Sequence, residues 1–272
     1  MKIDVVLLTK NSIKPCLALC LNSIRKEIPI HRLIVVDGGS VDGTLELIKQ
    51  YKDLNPLIIV DKKGNRATSR QIGISKVETE FFAFIDSDVI LTKGWFNDAI
   101  KYFDDPYVGG VWGAAIPIEP RRKKYYTMMT RLYRTTILEL AKKQGLVRGM
   151  LHDTLLKTEV VKDIQIPPEL HVMEDHYVRR HVENKGYKWI ATEKPYCLHY
   201  VRERSFKDAY YDAYYGWKFR IYDKKWYLKH ITLFWAKLLY LLLSTFEVAV
   251  VKYELKKELQ FLKAMFAIVV GK

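Results

Sequence analysis

The sequence predicts an α/β fold: a mixed, mostly parallel sheet flanked by helices, followed by a C-terminal helical appendage. Three observations predict it. Short continuous apolar runs such as Val5–Leu8, Leu33–Val36 and Phe81–Ile85 have the composition of strands buried on both faces. Stretches with apolar residues at helical spacing separate these runs. Beyond about residue 205 the alternation gives way to sequence rich in Tyr, Leu and Lys.

The elements follow in order. Val5-Val-Leu-Leu8 is the first strand, and Pro15 to Glu27 sets Leu17, Leu21 and Ile24 on one helical face. Leu33-Ile-Val-Val36 is the second strand, Val41 to Tyr51 a helix and Leu57-Ile-Ile-Val60 the third strand. Arg66 to Val77 is helical, Phe81-Phe-Ala-Phe-Ile85 is the fourth strand, and Gly109 to Ile116 a further one. Strands alternating with helices imply a parallel sheet covered on both faces. After residue 116 the pattern changes. Arg121-Arg-Lys-Lys124, following Pro117 and Pro120, reads as a surface loop, and Tyr125 to Lys143 as a helix. Ile166-Pro-Pro168 breaks the chain before a helix from Glu174 to Lys185 that stops at Gly186.

Composition narrows the function classes. The chain has 272 residues, 49% of them hydrophobic, which is enough for a buried core and excludes a disordered tail. Lys and Arg total 45 against 31 Asp and Glu, a net charge of +14. That excess calls for an anionic partner: nucleic acid, anionic lipid or a phosphorylated small molecule. Three cysteines, Cys16, Cys20 and Cys197, are too few for a disulfide scaffold, and a reducing compartment is the simplest reading. The opening MKIDVVLLTKN has no long apolar run and no small-residue cleavage site, so no signal peptide is expected.

Five segments carry chemistry. In Val36-Asp-Gly-Gly-Ser-Val-Asp-Gly-Thr44 a buried strand ends on Asp37 and glycines open a tight turn. Ligands bind at the carboxyl ends of parallel strands, which places Asp37 to accept hydrogen bonds from a base or ribose. The plainer reading is a helix cap made by Asp37 and Ser40. Asp86-Ser-Asp88 follows the fourth strand; carboxylates at i and i+2 reach one site in an extended chain, and hard oxygens suit a divalent cation bridged to phosphate. Lys63 to Gly73 opens a helix on which Arg66 and Arg70, four apart, either contact a diphosphate or form a solvated basic face. Met173-Glu-Asp-His-Tyr177 starts another helix. Asp175 there is a general base or simply an acidic residue favoured at a helix start, with Glu174 positioning the acceptor or Asp175. In Cys197 to Arg204, His199 is a candidate metal ligand, with Arg202 and Arg204 placed to neutralise phosphate.

In this order the segments resemble family 2 glycosyltransferases of the GT-A fold, a Rossmann-like nucleotide-diphospho-sugar transferase architecture, from about residue 3 to about 205. Leu8-Thr-Lys-Asn11 echoes the family's Thr-x-Asn strand end. Val36 to Thr44 echoes its Val-Asp-Asp-Gly-Ser-x-Asp-Gly-Thr signature, with Gly38 in place of the second Asp. Ser69-Arg-Gln-Ile-Gly73 resembles Ala-Arg-Asn-x-Gly, and Asp86-Ser-Asp88 its Asp-x-Asp motif. Glu174-Asp175, with Arg179-Arg180 and Gly186-Tyr187, resembles its Glu-Asp helix and Gly-Tyr exit.

The resemblance implies a UDP- or GDP-sugar donor, a divalent metal (Mn²⁺ or Mg²⁺) and inverting transfer to a glycan or lipid-linked acceptor. It implies that Thr9, Asp37 and Arg70 line the nucleotide site and that Asp86 contacts ribose or sugar. Asp88 and, as in only some members, His199 would bind metal, and Asp175 would be the base. Arg202 and Arg204 would add to the donor site. The expected organisation is a catalytic domain over 1–205, its nucleotide-binding half about 1–115 and its acceptor half about 116–205. A helical, aromatic and basic extension over 206–272 follows.

Other readings remain open at this point. Transfer to a polyprenyl phosphate would need no base, because that acceptor is already ionised. A sugar-phosphate nucleotidyltransferase should carry a Gly-rich phosphate loop near the N-terminus, which Leu8-Thr-Lys-Asn11 is not. A nucleic-acid-binding protein would explain the charge but not acidic sites at strand ends, so no nucleic-acid partner is expected.

Ile231 to Val251 is strongly apolar but carries Lys237 and Glu247, with only nine residues between them. This fits an amphipathic helix, packed on the catalytic domain or lying in a membrane interface, better than a membrane span. From Val201 to Lys272 there are 14 Lys/Arg against 7 Asp/Glu, half of the net charge. The expectation is a cytoplasmic protein peripheral at the inner face of the cell membrane, with a dimer interface as the competing use of these helices. Tyr210, Tyr211, Tyr214, Tyr215 and Trp217 either line an acceptor cleft or pack together.

Overall fold

In the computed structural model, which describes residues 1–200, 206–245 and 248–271, the chain divides into two compact units, Met1–Val201 and Arg202–Lys272. The apolar runs of the first unit become its central strands. In chain order its elements are β1 (Ile3–Thr9), α1 (Leu17–Glu27), β2 (Ile30–Asp37), α2 (Thr44–Gln50), β3 (Pro56–Val60), α3 (Arg66–Ser75), β4 (Phe81–Asp86), β5 (Val89–Leu91) and α4 (Trp95–Ile100). There follow β6 (Val108–Pro117), α5 (Pro120–Tyr133), α6 (Ile137–Arg148), β7 (Asp153–Lys157), α7 (Thr158–Val161), α8 (Glu174–Asn184) and β8 (Lys188–His199).

The strands form one sheet in the order β3-β2-β1-β4-β7-β6-β8-β5. β1 pairs in parallel with β2 and β4, β2 with β3, and β6 with β8; β7 and β5 run antiparallel to their neighbours. The sheet is therefore mixed and mostly parallel, as the sequence predicts.

Both faces are covered because alternate residues of one strand serve different helices. Val5 and Leu7 join Leu17, Leu21 and Ile24 of α1 and Trp95 of α4 in one core. Val6 faces the other way, against α3, where a Cβ added to Gly73 would stand 2.4 Å from its Cγ1. Val5, Val6 and Leu7 are all fully buried, and each such side chain contributes about 1.5–3 kcal/mol.

Two expectations need correction. Arg121–Lys124 is not a loop but lies in the first turns of α5, because Pro120 occupies the first helical position, where a missing N–H costs nothing. The single helix expected over Tyr125–Lys143 is two: α5 stops at Arg134, which is left-handed (φ 48°), and α6 restarts with the Thr136 hydroxyl accepting from the Glu139 N–H at 3.0 Å.

The second unit is helical: α9 (Phe206–Lys218), α10 (Lys224–Thr245) and α11 (Val248–Val269). The apolar stretch Ile231–Val251 thus spans parts of two helices rather than one. Tyr227 on α10 donates its hydroxyl to the Ala213 carbonyl of α9 at 2.8 Å, and Lys237 on α10 pairs with Glu254 on α11 at 2.8 Å. The tyrosines of α9 stack on one another, Tyr210 on Tyr214 and Tyr211 on Tyr215.

Gly73→Ala tests the close approach of α3 to β1. Helix propensity alone favours Ala by about 1 kcal/mol, whereas overpacking costs about 1–3 kcal/mol. The expected outcome is a lower urea midpoint with an unchanged m value; a raised midpoint would show that the contact is loose.

Candidate active site

Register brings the predicted residues to one edge. In the parallel pairing, Thr9 lies opposite Asp37 and Leu8 opposite Asp86, so β1, β2 and β4 end together. Thr9 Oγ1 donates to Asp37 Oδ2 at 2.7 Å, and the Ser40 hydroxyl donates to the same oxygen at 2.5 Å. The backbone N–H groups of Gly39 and Ser40 donate to Oδ1 at 2.8 and 2.7 Å. Asp37 is fully buried, and these four donors compensate the removal of its charge from water. They also shape the loop after β2, in which Gly39 takes φ 83°. That loop is tied to the one after β1: Asn11 N–H donates to Ser40 Oγ at 2.8 Å, Val41 N–H to Asn11 Oδ1 at 2.9 Å, and Ser12 N–H to Thr44 Oγ1 at 2.7 Å. Two loops distant in sequence are held as one surface at the carboxyl edge of the sheet.

Asp86 ends β4, and Asp88 sits in the turn that leads into β5. Antiparallel pairing of β5 with β8 sets Val89 opposite His199, and the Tyr200 N–H donates to the Asp88 carbonyl at 2.9 Å. This register alone carries a residue 111 positions away to the second carboxylate. His199 Nε2 lies 3.3 Å from Asp88 Oδ1. Both side chains are partly exposed, so a small ligand can reach them. The carboxylate oxygen suits Mn²⁺ or Mg²⁺ and the imidazole nitrogen is a ligand of transition ions, so the pair is compatible with a divalent cation, more readily Mn²⁺ than Mg²⁺.

Arg70 lies beneath this turn. Its side chain is 4% exposed, its Nη2 donates to Asp86 Oδ1 at 3.2 Å, and its Nε donates to Glu174 Oε1 at 3.4 Å. The guanidinium also stands over the Phe84 ring, 4.9 Å from its centroid. The sequence suggests an arginine open to a diphosphate; the structure places it as a buried link between β4 and α8. Burial alone would raise the Asp86 carboxyl, but Arg70, with His152 and His199, outweighs it and holds Asp86 below the usual carboxylate value. Glu174 goes the other way. Burial and the adjacent Asp175 raise it, against the pull of Arg70 and Arg66.

Asp175 is in the first turn of α8, and its Oδ1 lies 3.7 Å from Arg148 Nη2 at the end of α6. The residue before the helix, Met173, is buried with φ 75°, and Gly149 takes φ 104°. A Cβ on Gly149 would stand 2.8 Å from the Asp175 carbonyl oxygen, so the α6–β7 turn can approach α8 only with glycine there. Arg202 and Arg204 lie outside the described residues.

Sequence reasoning missed Arg148, His152 and Asp153. The His152 ring is 4.7 Å from that of His199, and its carbonyl accepts from the Asp86 N–H at 2.9 Å. Among the described residues, His152, Asp153 and Cys197 form a buried group with potential ligand atoms within 4.8 Å of one another. Burial pushes the Asp153 carboxyl well above its ordinary value. It pushes the Cys197 thiol well up too, and the two hydrogen-bond. Trp95 Nε1 donates to Asp153 Oδ2 at 3.2 Å. These groups form a packed, hydrogen-bonded base beneath the Asp86–Asp88 turn. The signal that could have found them is slight: His152-Asp153 opens a short apolar run, Thr154-Leu-Leu156, too brief to read as a strand.

Asp153 yields a pH prediction. Its folded pKa lies above its unfolded one, so between them the folded state holds a proton that the unfolded state has released. Stability therefore falls as pH rises, by roughly 1.4 kcal/mol per pH unit for one group. Asp153→Asn should flatten that slope in urea unfolding from pH 4 upward while sparing much of the stability at pH 7. An unchanged slope would mean that Asp153 is ionised in the fold.

A family model described as Glycosyl transferase family 2 matches residues 4–164. Among characterised proteins, poly(ribitol-phosphate) beta-N-acetylglucosaminyltransferase TarS of Staphylococcus aureus (strain Mu50) is 26% identical over 216 residues, 75% of this chain and 36% of that protein. The chain spans about a third of the length of that relative. The crystal structure of S. aureus TarS 1-349 in complex with UDP-GlcNAc superposes with a TM-score of 0.59 at 20% identity, covering 78% of this chain and 66% of that one. The mannosyltransferase PcManGT from Pyrobaculum calidifontis, in complex with GDP-Man and Mn²⁺, superposes with a TM-score of 0.65 at 16% identity over 100% of this chain and 88% of that one. These likenesses establish the GT-A fold. With more than half of its length matched by the family model and its motifs gathered on one edge of the sheet, the chain belongs to glycosyltransferase family 2.

Proposed function

We propose that this chain transfers a sugar from a UDP- or GDP-sugar to an acceptor hydroxyl, on a glycan or lipid-linked glycan, with inversion at the anomeric carbon. The observation that carries the reading is that buried Arg70 joins Asp86, two residues before the Asp88–His199 pair, to Glu174, the neighbour of Asp175 at the start of α8. The nucleotide sugars held by the TarS and PcManGT structures support the donor class.

The residues divide the work as follows. The joined loops carrying Thr9 and Asp37 form the floor for the nucleotide, with Asp86 at its edge for ribose or sugar. Asp88 and His199 would hold Mn²⁺ or Mg²⁺, whose chemistry there is to neutralise charge on the departing diphosphate. Asp175 accepts the proton of the acceptor hydroxyl as its oxygen attacks the anomeric carbon on the face opposite the leaving diphosphate. Arg148 orients Asp175, and Arg70 fixes Glu174 so that α8 presents its first turn at a set distance from Asp86. In this arrangement Arg70 positions the machinery rather than touching the donor. The 1–205 catalytic domain and 206–272 extension expected from the sequence complete the proposed organisation.

Asp88→Ala should abolish transfer and weaken cation-dependent donor binding. Asp175→Asn should leave donor affinity near the parent value and lower turnover by about 10²–10⁴-fold, the range for a lost general base. Near-normal turnover in Asp175→Asn would overturn the base assignment and favour an acceptor that is already ionised, such as a polyprenyl phosphate. A thermal-shift screen of UDP-, GDP- and dTDP-sugars with Mn²⁺ or Mg²⁺ tests the donor class directly. At least one pair should raise Tm, and the absence of any shift would count against the whole reading.

A further inference from the structure

The second unit carries an apolar stripe on each of its long helices. On α10 the exposed residues Leu228, Ile231, Trp235, Leu239 and Leu242 recur every three or four positions; on α11 Leu255, Leu259, Leu262, Phe266 and Val269 do the same, with Val248 two turns earlier on the same face. Trp235 is 66% and Phe266 68% exposed. A 22-residue helix is about 33 Å long, so each stripe is far longer than a stray surface leucine requires.

The charges are sorted across the same helices. Lys224, Lys225 and Lys229 on α10, and Lys252, Lys256 and Lys263 on α11, are exposed. The only carboxylates within the two helices, Glu254 and Glu258, are buried. Glu254 is engaged by Lys237 at 2.8 Å and Glu258 by His230 at 3.0 Å, both from α10. The face opposite the helix–helix contact is therefore apolar with positive edges and, among the described residues of the two helices, no exposed carboxylate.

From this sorting we infer that the second unit docks on an anionic lipid bilayer, with α10 and α11 lying in the interface: apolar stripes among the upper acyl chains and lysines among acidic headgroups. Charge decides the occupant. A second copy of this face would bring lysines against lysines, because the two carboxylates of these helices, Glu254 and Glu258, are buried and already engaged by Lys237 and His230. An anionic bilayer supplies both the apolar phase and the counter-charge. Among the described residues no helix is long and apolar enough to cross a membrane, so these helices lie on the bilayer rather than span it. This inference is independent of which sugar is transferred.

The test is co-sedimentation of the full chain with vesicles of phosphatidylcholine alone and of phosphatidylcholine with about one third phosphatidylglycerol. The expected result is binding to the phosphatidylglycerol vesicles that weakens as NaCl is raised, with a blue shift of tryptophan fluorescence. Trp235→Glu with Phe266→Glu should reduce that binding at least tenfold. Lys252→Glu with Lys256→Glu and Lys263→Glu, which leaves all apolar packing intact, should abolish the preference for phosphatidylglycerol. Circular dichroism of each variant shows that it is folded. No binding to either vesicle, or equal binding to both, overturns the inference. So does a dimer in sedimentation velocity that these substitutions dissociate, which would assign the face to a second copy.

Discussion

A single buried guanidinium organises the site. Arg70 lies on α3, and its two carboxylate partners are 16 and 104 residues away, Asp86 at the end of β4 and Glu174 at the start of α8. A cation with 4% exposure cannot stand alone in the fold, and neither can Glu174 beside it. Each group is tolerable only because the others are present. The Asp-x-Asp turn and the first turn of α8 are therefore fixed relative to one another. A family motif that reads in sequence as a donor ligand is here a strut between two structural segments, the turn that carries Asp88 and the first turn of α8 that carries Asp175.

The same logic appears in the loops. Asp37 is also buried and negative, but its compensation comes from four hydrogen-bond donors rather than a cation. Its hydrogen bonds order the loop after β2, and that loop in turn holds the one after β1 through Asn11, Ser12 and Ser40. Preorganisation of this kind lowers the entropy lost when a nucleotide binds.

Much of this was legible in the sequence because it depends on local patterns. Continuous apolar runs are what a doubly covered strand must be, so β1 to β4 and β6 were readable, and so were the carboxylates that end β2 and β4. The unreadable parts depend on long-range pairing. β5 has three residues and β7 five, too short for periodicity to register. Yet β5 sets His199 against Asp88, and β7 opens at the His152–Asp153 pair. The buried state of Arg70 was equally hidden, because nothing local separates an arginine on a solvated face from one sealed under a turn. Asp4 makes the same point. It sits fully buried in the first strand, where its pairing with His31 at 2.8 Å and with the Glu78 N–H at 2.8 Å is visible only in three dimensions.

The net charge of +14 acquires a division of labour from these contacts. Among the described residues the candidate active site gathers carboxylates, Asp37, Asp86, Asp88, Glu174 and Asp175, and its buried arginine Arg70 and its half-buried Arg148 are each held close to one or two of them. An acidic site suits an anionic diphosphate only when a cation intervenes, which is the chemistry the Asp88–His199 pair offers. On α10 and α11 the sorting is reversed, with carboxylates inside and lysines outside. A uniform basic coat for nucleic acid would need neither arrangement. Acidic residues gathered at one edge of the sheet and a lysine-edged apolar face are opposite charge arrangements, and they match the two proposed anionic partners, a small molecule and a surface.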